Sequence, residues 1–163
     1  MKILTHPNPI LRKKSTNVEF VDDQIHKFVQ DMIKILLSQN GLGLAAPQVG
    51  QNIKIFIINK KLGEKLKKDE RHDFHIFINP RINWKSSDKS SDWEGCLSLP
   101  GLEGKVERPN RVRIKAQNLE GQKFSLKSDQ LLARAIQHEY DHLEGILYID
   151  YIKSKKDLKK IGK

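Results

Sequence analysis

Cysteine is nearly absent from this sequence, since Cys96 is the only one among 163 residues. A single thiol excludes an internal disulfide, and it excludes a Cys₄ or Cys₂His₂ zinc site built from this chain alone. The sequence also lacks the roughly 18 consecutive apolar residues that a transmembrane helix needs, and its first residues lack the apolar core of a signal peptide. We therefore expect a cytoplasmic protein that does not insert into a membrane.

Negative charge is in short supply: 20 aspartate and glutamate residues face 30 lysine and arginine residues, a formal net charge of +10. Such a balance attracts polyanions, RNA above all, although a lysine-rich surface without a partner gives the same number. The length predicts a single domain over residues 1–163, with a core at about 1–152 and a basic tail at 153–163. The tail lysines are candidates for contact with the ribosome: Lys153, Lys155, Lys156, Lys159, Lys160 and Lys163.

One stretch near the C-terminus has the spacing of a metal site, because His138, Glu139 and His142 form an H-E-x-x-H pattern. On a helix, residues four apart lie on one face, so both imidazoles can bind one metal ion while the glutamate reaches a water beside it. The flanking sequence favours a helix, since Asp129 can cap its start and Gly145 can end it. Two histidines on a solvated helix face are the alternative.

The remaining chain predicts a mixed fold. Residues 21–39 have the pattern of an amphipathic helix that ends at Asn40. Strands are expected at 53–58, 74–79, 106–108, 111–116 and 123–126, with loops at 60–73 and 88–92 and a turn at 118–121. Because strands and helices do not alternate regularly, we predict an α+β fold, with mostly antiparallel sheets packed around the C-terminal metal-binding helix.

A third metal ligand is required, because a catalytic site of this type has about three protein ligands and one open position. Downstream of His142 the nearest carboxylate, Glu144, is too close on the same helix. Cys96 is the strongest candidate, since a thiolate is a soft ligand suited to iron or zinc. A lone cysteine can also be no more than a small buried apolar residue.

Three segments carry a family resemblance. Residues 41–48 read GLGLAAPQ, residues 94–98 read EGCLS and residues 137–142 read QHEYDH. In this order and at these separations they resemble the three signature motifs of peptide deformylases, and the likeness extends from Leu4 to about Tyr151. The resemblance implies a metal-dependent hydrolase that removes the N-formyl group from formyl-methionine of nascent polypeptides and releases formate.

The resemblance also implies roles for single residues. Glu139 would activate water and return the proton to the leaving amine. The side-chain amide of Gln48 and the backbone N–H of Leu97 would stabilise the oxyanion. One divalent ion, most commonly Fe²⁺ with Zn²⁺, Ni²⁺ or Co²⁺ as substitutes, would be held by Cys96, His138 and His142.

Substrate contacts are expected on both sides of this centre. The backbone at Gly43 and Gly95 can pair with an extended peptide, which gives affinity with little sequence preference. We expect Arg108 to pair with Asp141 as a brace beneath the metal ligands. Candidates for the methionine pocket and its border are Leu42, Leu131, Ala135, the His138 ring, Arg134 and Glu94.

Two other function classes compete with this interpretation. A basic RNA-binding protein would show salt-sensitive RNA affinity and no metal requirement. An H-E-x-x-H endopeptidase would use the same helix, but it would need neither Gln48 nor Cys96.

Overall fold

The computed structural model describes residues 1–61 and 73–162, so most of the loop predicted at 60–73 lies outside the described residues, as does Lys163. Its two α-helices are α1 (Asp23–Gln39) and α2 (Gln130–Leu143). The strands are β1 (Gly43–Ala45), β2 (Ile55–Asn59), β3 (Phe74–Lys85), β4 (Lys89–Gly95), β5 (Leu102–Pro109), β6 (Arg111–Gln117), β7 (Lys123–Asp129) and β8 (Leu158–Lys160).

The strands form two antiparallel sheets. One has five strands in the order β1-β2-β3-β6-β7, and the other has three in the order β4-β5-β8. These sheets and the C-terminal helix confirm the predicted α+β fold. No helix among residues 1–61 and 73–162 has the length and hydropathy needed to span a bilayer.

The five-stranded sheet carries a helix on each face, because successive strand residues point to opposite sides. Phe56, Phe77 and Ile114 pack with α2 on one side. Ile55 and Ile57 pack with α1 on the other side. The helix that holds the H-E-x-x-H pattern is thus fixed by a large apolar contact, which gives its polar face a defined position.

Both helices begin and end close to the residues that the sequence predicts. Asp22 caps α1 by accepting a hydrogen bond from the Ile25 N–H at 3.0 Å, and Asn40 closes it with φ 51°. At the end of α2 the Ile146 N–H donates to the backbone carbonyl of Asp141 at 2.9 Å. Gly145 adopts φ 74°, as a helix end closed by glycine requires. Asp129 occupies the N-cap position of α2, but its side chain forms no capping hydrogen bond.

The loop predicted at 88–92 is wrong for residues 89–92, because β4 begins at Lys89, which lies opposite Pro109 of β5; only Asp88 precedes the strand. The first five residues of β4 are all exposed, so the strand lacks the apolar alternation from which a strand is predicted. The basic tail also contains structure: β8 extends this sheet, with Lys160 opposite Leu102.

Candidate active site

Two histidines of α2 and the only cysteine converge on one point. The His138 and His142 rings lie 5.2 Å apart between centroids. Cys96, just beyond the end of β4, places its Sγ 3.3 Å from His142 Nε2. One ligand atom from each of the three residues lies within 4.8 Å of the others, and within the described residues this is the only such group of three or more. One thiolate and two imidazoles are a donor set that suits iron or zinc.

Glu94 fixes the orientation of His138. Its carboxylate, which is buried, accepts hydrogen bonds from His138 Nδ1 at 2.9 Å and from Arg108 Nε at 2.6 Å. Arg134 Nη1 adds a third donor at 2.8 Å. Burial opposes ionisation of Glu94, but the hydrogen bonds from His138 and Arg108 outweigh it and lower the pKa of the carboxyl to about 2. Since Nδ1 donates to this carboxylate, the Nε2 lone pair of His138 is left for a metal ion.

His142 has no such partner. Its Nδ1 atom is buried and makes no hydrogen bond within the described residues. Burial holds the pKa of His142 well below its usual range, and the positive charge of Arg108, with that of His138 when its ring is protonated, adds to this effect. The ring is therefore a neutral imidazole, which is the form that binds a metal.

Glu139 points into the same site and is also buried. Its Oε2 atom has no hydrogen-bond partner among the described residues, and burial raises the pKa of the carboxyl to about 7. Gly43 leaves room for this side chain, because a Cβ at that position would lie 2.6 Å from Glu139 Oε1. Such an unpartnered buried carboxyl is suited to exchanging protons with a ligand in the site.

The side chain of Gln48 is held at its oxygen end. Gln48 Oε1 accepts from the Ala45 N–H at 2.8 Å, so the NH₂ group must face the opposite way. There Nε2 donates to Ser98 Oγ at 3.2 Å and lies 3.5 Å from Cys96 Sγ. Ser98 was not singled out by the sequence analysis, although it stands within the EGCLS segment.

Arg108 links two carboxylates under the site. Besides its bonds to Glu94, its Nη1 donates to Asp141 Oδ2 at 2.9 Å, which is the expected pairing. The Tyr151 hydroxyl donates to the same oxygen at 3.0 Å, and the guanidinium lies 5.1 Å from the centre of the Tyr151 ring. Arg108 is 4% exposed, so its bonds to Glu94 are shielded from water, whereas Tyr151 at the border of the network is 39% exposed.

A cavity of about 500 Å³ opens in front of Cys96 and His138, and Glu139 also lines it. Gln48 and Leu97 border it close to the ligands, and Glu94 and Arg134 also contribute to its wall. The expected substrate contacts all lie on its wall: Leu42, Gly43, Gly95, Leu131, Ala135 and the His138 ring.

Three further residues at this site were missed by sequence reasoning. Trp93 and Ile161 also line the cavity. Tyr148 stacks on the His138 ring with 6.1 Å between centroids and an interplanar angle of 25°. No local sequence pattern identifies these residues as part of the site. Strand pairing and the path of the chain after α2 bring them close to the metal-ligand candidates.

Known proteins resemble this chain over most of its length. The family model described as polypeptide deformylase matches residues 1–158. Peptide deformylase 1 of Clostridium perfringens is 46% identical over 142 residues, which cover 87% of this chain and 90% of that protein. Peptide deformylase 1 of Ralstonia nicotianae is 41% identical over 152 residues, or 93% of this chain and 86% of the relative.

Solved structures show the same likeness. A peptide deformylase from Plasmodium falciparum superposes with a TM-score of 0.88 at 42% identity, covering 96% of this chain and 88% of that one. The peptide deformylase from Thermotoga maritima has a TM-score of 0.85 at 33% identity and covers 94% and 97%.

Proposed function

The chain belongs to the polypeptide deformylase family, and we propose that it removes the N-formyl group from the N-terminal formyl-methionine of nascent polypeptides. Water adds to the formyl carbon, the C–N bond breaks, and formate and a free α-amine are released. The observation that carries this proposal is the convergence of Cys96, His138 and His142 beside the buried carboxyl of Glu139.

Cys96, His138 and His142 would hold one divalent metal ion. Three protein ligands leave a coordination position for water, as a catalytic site requires. When bound, the ion supplies Lewis acidity that activates water for attack at neutral pH. We propose Fe²⁺ as the ion in the cell, because the thiolate and imidazole donors accommodate it and the family resemblance favours it.

Glu139 would move the proton. We propose that its carboxyl, which lines the cavity together with Cys96 and His138, accepts a proton from the attacking water. The same carboxyl then gives the proton to the departing amine, which leaves as a neutral group. Because Glu139 is buried, bulk water does not compete for that proton.

Gln48 and Leu97 would stabilise the oxyanion that develops on the formyl oxygen. The NH₂ group of Gln48 is pre-oriented by the Ala45 N–H, so little reorganisation is needed when negative charge forms. We propose the backbone N–H of Leu97, next to Cys96 on the cavity wall, as the second donor.

The peptide would lie as an extended strand between β1 and the end of β4. In the five-stranded sheet β1 is an edge strand, so the backbone at Gly43 has one side open for pairing. At Gly95 an added Cβ would meet only ordinary contacts, the nearest at 3.7 Å, so the protein's own packing does not require glycine there. We attribute this glycine to close approach by the substrate, with methionine among Leu42, Leu131 and Ala135.

Formate release from a formyl-Met tripeptide tests the proposal. The metal-loaded protein should release formate, and Glu139→Gln should slow this roughly 10²- to 10⁴-fold while retaining metal. Glu120→Gln, in an exposed turn, is the matched control and should be unaffected. Cleavage of a peptide bond instead would support an endopeptidase, and no reaction in any metal form would reject the deformylase.

We propose that the protein acts in the cytoplasm, since formylated nascent chains are the substrate.

We also propose that the basic tail contacts the ribosome. Lys155 and Lys156 are exposed, whereas Lys159 is held 2.9 Å from Glu103 and 4.2 Å from the centre of the Trp93 ring. Replacing Lys155 and Lys156 by glutamine should reduce co-sedimentation with ribosomes at low salt. Undiminished co-sedimentation would remove the tail from the proposal.

A further inference from the structure

The α1 side of the five-stranded sheet is only partly covered. The apolar cluster around α1 draws its strand residues from β1, β2 and the first part of β3, and none of its described members lies on β6 or β7. The outer half of this face, on β6, β7 and the end of β3, is thus free of a helix. Val112, Ile114 and Ala116 point to the opposite side, toward α2.

This bare region carries cations in register. Arg81 lies directly opposite Lys115, and Arg113 lies directly opposite Lys127. Together with Lys123 these residues form a group that we call the cationic face; its members are Arg81, Arg113, Lys115, Lys123 and Lys127. Within the described part of the chain, none of the five forms an ion pair with a carboxylate.

Such an arrangement opposes folding. Like charges directly opposite each other on neighbouring strands destabilise a sheet, and a solvated face normally mixes both signs. The start of β6 shows the usual mixture of charges. Arg111 lies opposite Asp129 there and donates a hydrogen bond to Asp88 at 2.9 Å. Asp129 borders one end of the cationic face, but no carboxylate lies directly opposite any of its five cations, and a polyanionic partner would supply the compensating negative charge.

Trp84 adds an aromatic surface to the same face. It lies directly opposite Arg113, whose other neighbour is Lys127, and it is 45% exposed. A concavity of about 380 Å³ is bordered by these three residues together with Arg111 and Asp129. A second of about 510 Å³, at the edge of the sheet, is bordered by Arg81, Lys115 and Lys123 together with Ala116 and Phe124. Exposed aromatic rings beside cations suit unpaired nucleotides, because bases stack on the ring while phosphates meet the charges.

We propose that the cationic face, together with Trp84, binds unpaired RNA. The phosphates contact the five cations, and a base stacks on the indole. This face lies on the side of the sheet away from α2, so bound RNA leaves the metal ligands and the substrate cavity accessible.

The test is the salt dependence of binding to a fluorescent single-stranded oligouridine, followed by anisotropy with full-length metal-loaded protein. Five phosphate contacts predict a slope of log K against log salt of about −3.5, and the double variant Lys115→Gln, Lys127→Gln should reduce its magnitude by about 1.4. Trp84→Ala should weaken binding roughly 5- to 100-fold with an unchanged slope. Formate release should stay at the wild-type rate in each variant, which shows that they fold.

The charge-matched comparison is Lys27→Gln, Lys105→Gln, which removes two exposed lysines on α1 and β5, outside both the cationic face and the tail. If this variant weakens oligouridine binding as much as the double variant on the sheet, affinity follows total charge and the proposal is wrong. Equal affinity for an RNA duplex or for polyglutamate, with no effect of Trp84→Ala, would also overturn it. A loss confined to the sheet variants and to unpaired RNA would support it.

Discussion

The Nδ1 atom of His138 lies 2.9 Å from Oε2 of Glu94, and this contact decides which ring nitrogen faces the metal site. Glu94 is itself held by Arg108 and Arg134, so the orientation of the ligand depends on a buried network that extends across β4, β5 and α2. The candidate metal site therefore depends on this carboxylate as well as on the three residues that could hold the ion.

Glu94→Gln should weaken metal binding about 10- to 100-fold, because loss of a group that orients a ligand typically has this effect. The measurement is retention of a divalent ion against a competing chelator at fixed pH. Glu107→Gln is the matched control: Glu107 lies on β5 and only approaches Lys89 at 3.7 Å with an exposed side chain. Equal affinities for the two variants would show that Glu94 does not position His138.

Arg108→Ala should lower the free energy of unfolding by up to about 3–5 kcal/mol, since Glu94 keeps only Arg134 and His138 as partners and Asp141 loses its buried guanidinium. Arg111→Ala removes an exposed pair with Asp88 and should cost no more than about 1 kcal/mol. Urea unfolding of the two apoproteins compares them. Unchanged stability, metal affinity and activity in Arg108→Ala would contradict its role as a brace.

Gly43→Ala and Gly95→Ala should have different effects, although both glycines border the cavity. At Gly43 the added methyl would meet Glu139 at 2.6 Å, so overpacking should destabilise the protein by about 1–3 kcal/mol and displace the carboxylate. At Gly95 the nearest atom is 3.7 Å away, so stability should hold while KM for formyl peptides rises. Thermal unfolding and steady-state formate release distinguish the two. An unchanged KM in Gly95→Ala would count against peptide pairing there.

Gly145→Ala should be more destabilising than Gly121→Ala. Both glycines have φ 74°, so each substitution should cost about 1–2 kcal/mol for the left-handed backbone alone. At Gly145 the new Cβ would also lie 2.5 Å from the Arg12 carbonyl oxygen, whereas nothing lies within 4 Å at Gly121. The comparison of chemical denaturation midpoints isolates the contribution of this close packing beside α2. Equal midpoints would show that the chain near Arg12 relaxes freely.

Sequence reasoning was most successful where the signal is local. The ends of α1 and α2 follow from a capping aspartate, an αL asparagine and a glycine, and the alternation in β6 predicts the strand. The loop prediction was wrong at 89–92, because the start of β4 is exposed and polar and is held by backbone pairing with β5. Pairing of this kind leaves no periodic pattern in the side chains.

The sequence by itself determined the chemistry: a four-residue spacing places two histidines on one helix face, and three motifs identify the family. Only the tertiary structure placed Cys96 against His142, since 46 residues separate them and their approach depends on β4 and on the packing of α2. It also showed that Gly43 makes room for Glu139 and that Glu94 orients His138. These relations depend on distances between elements, which are set by core packing and strand register rather than by residue order.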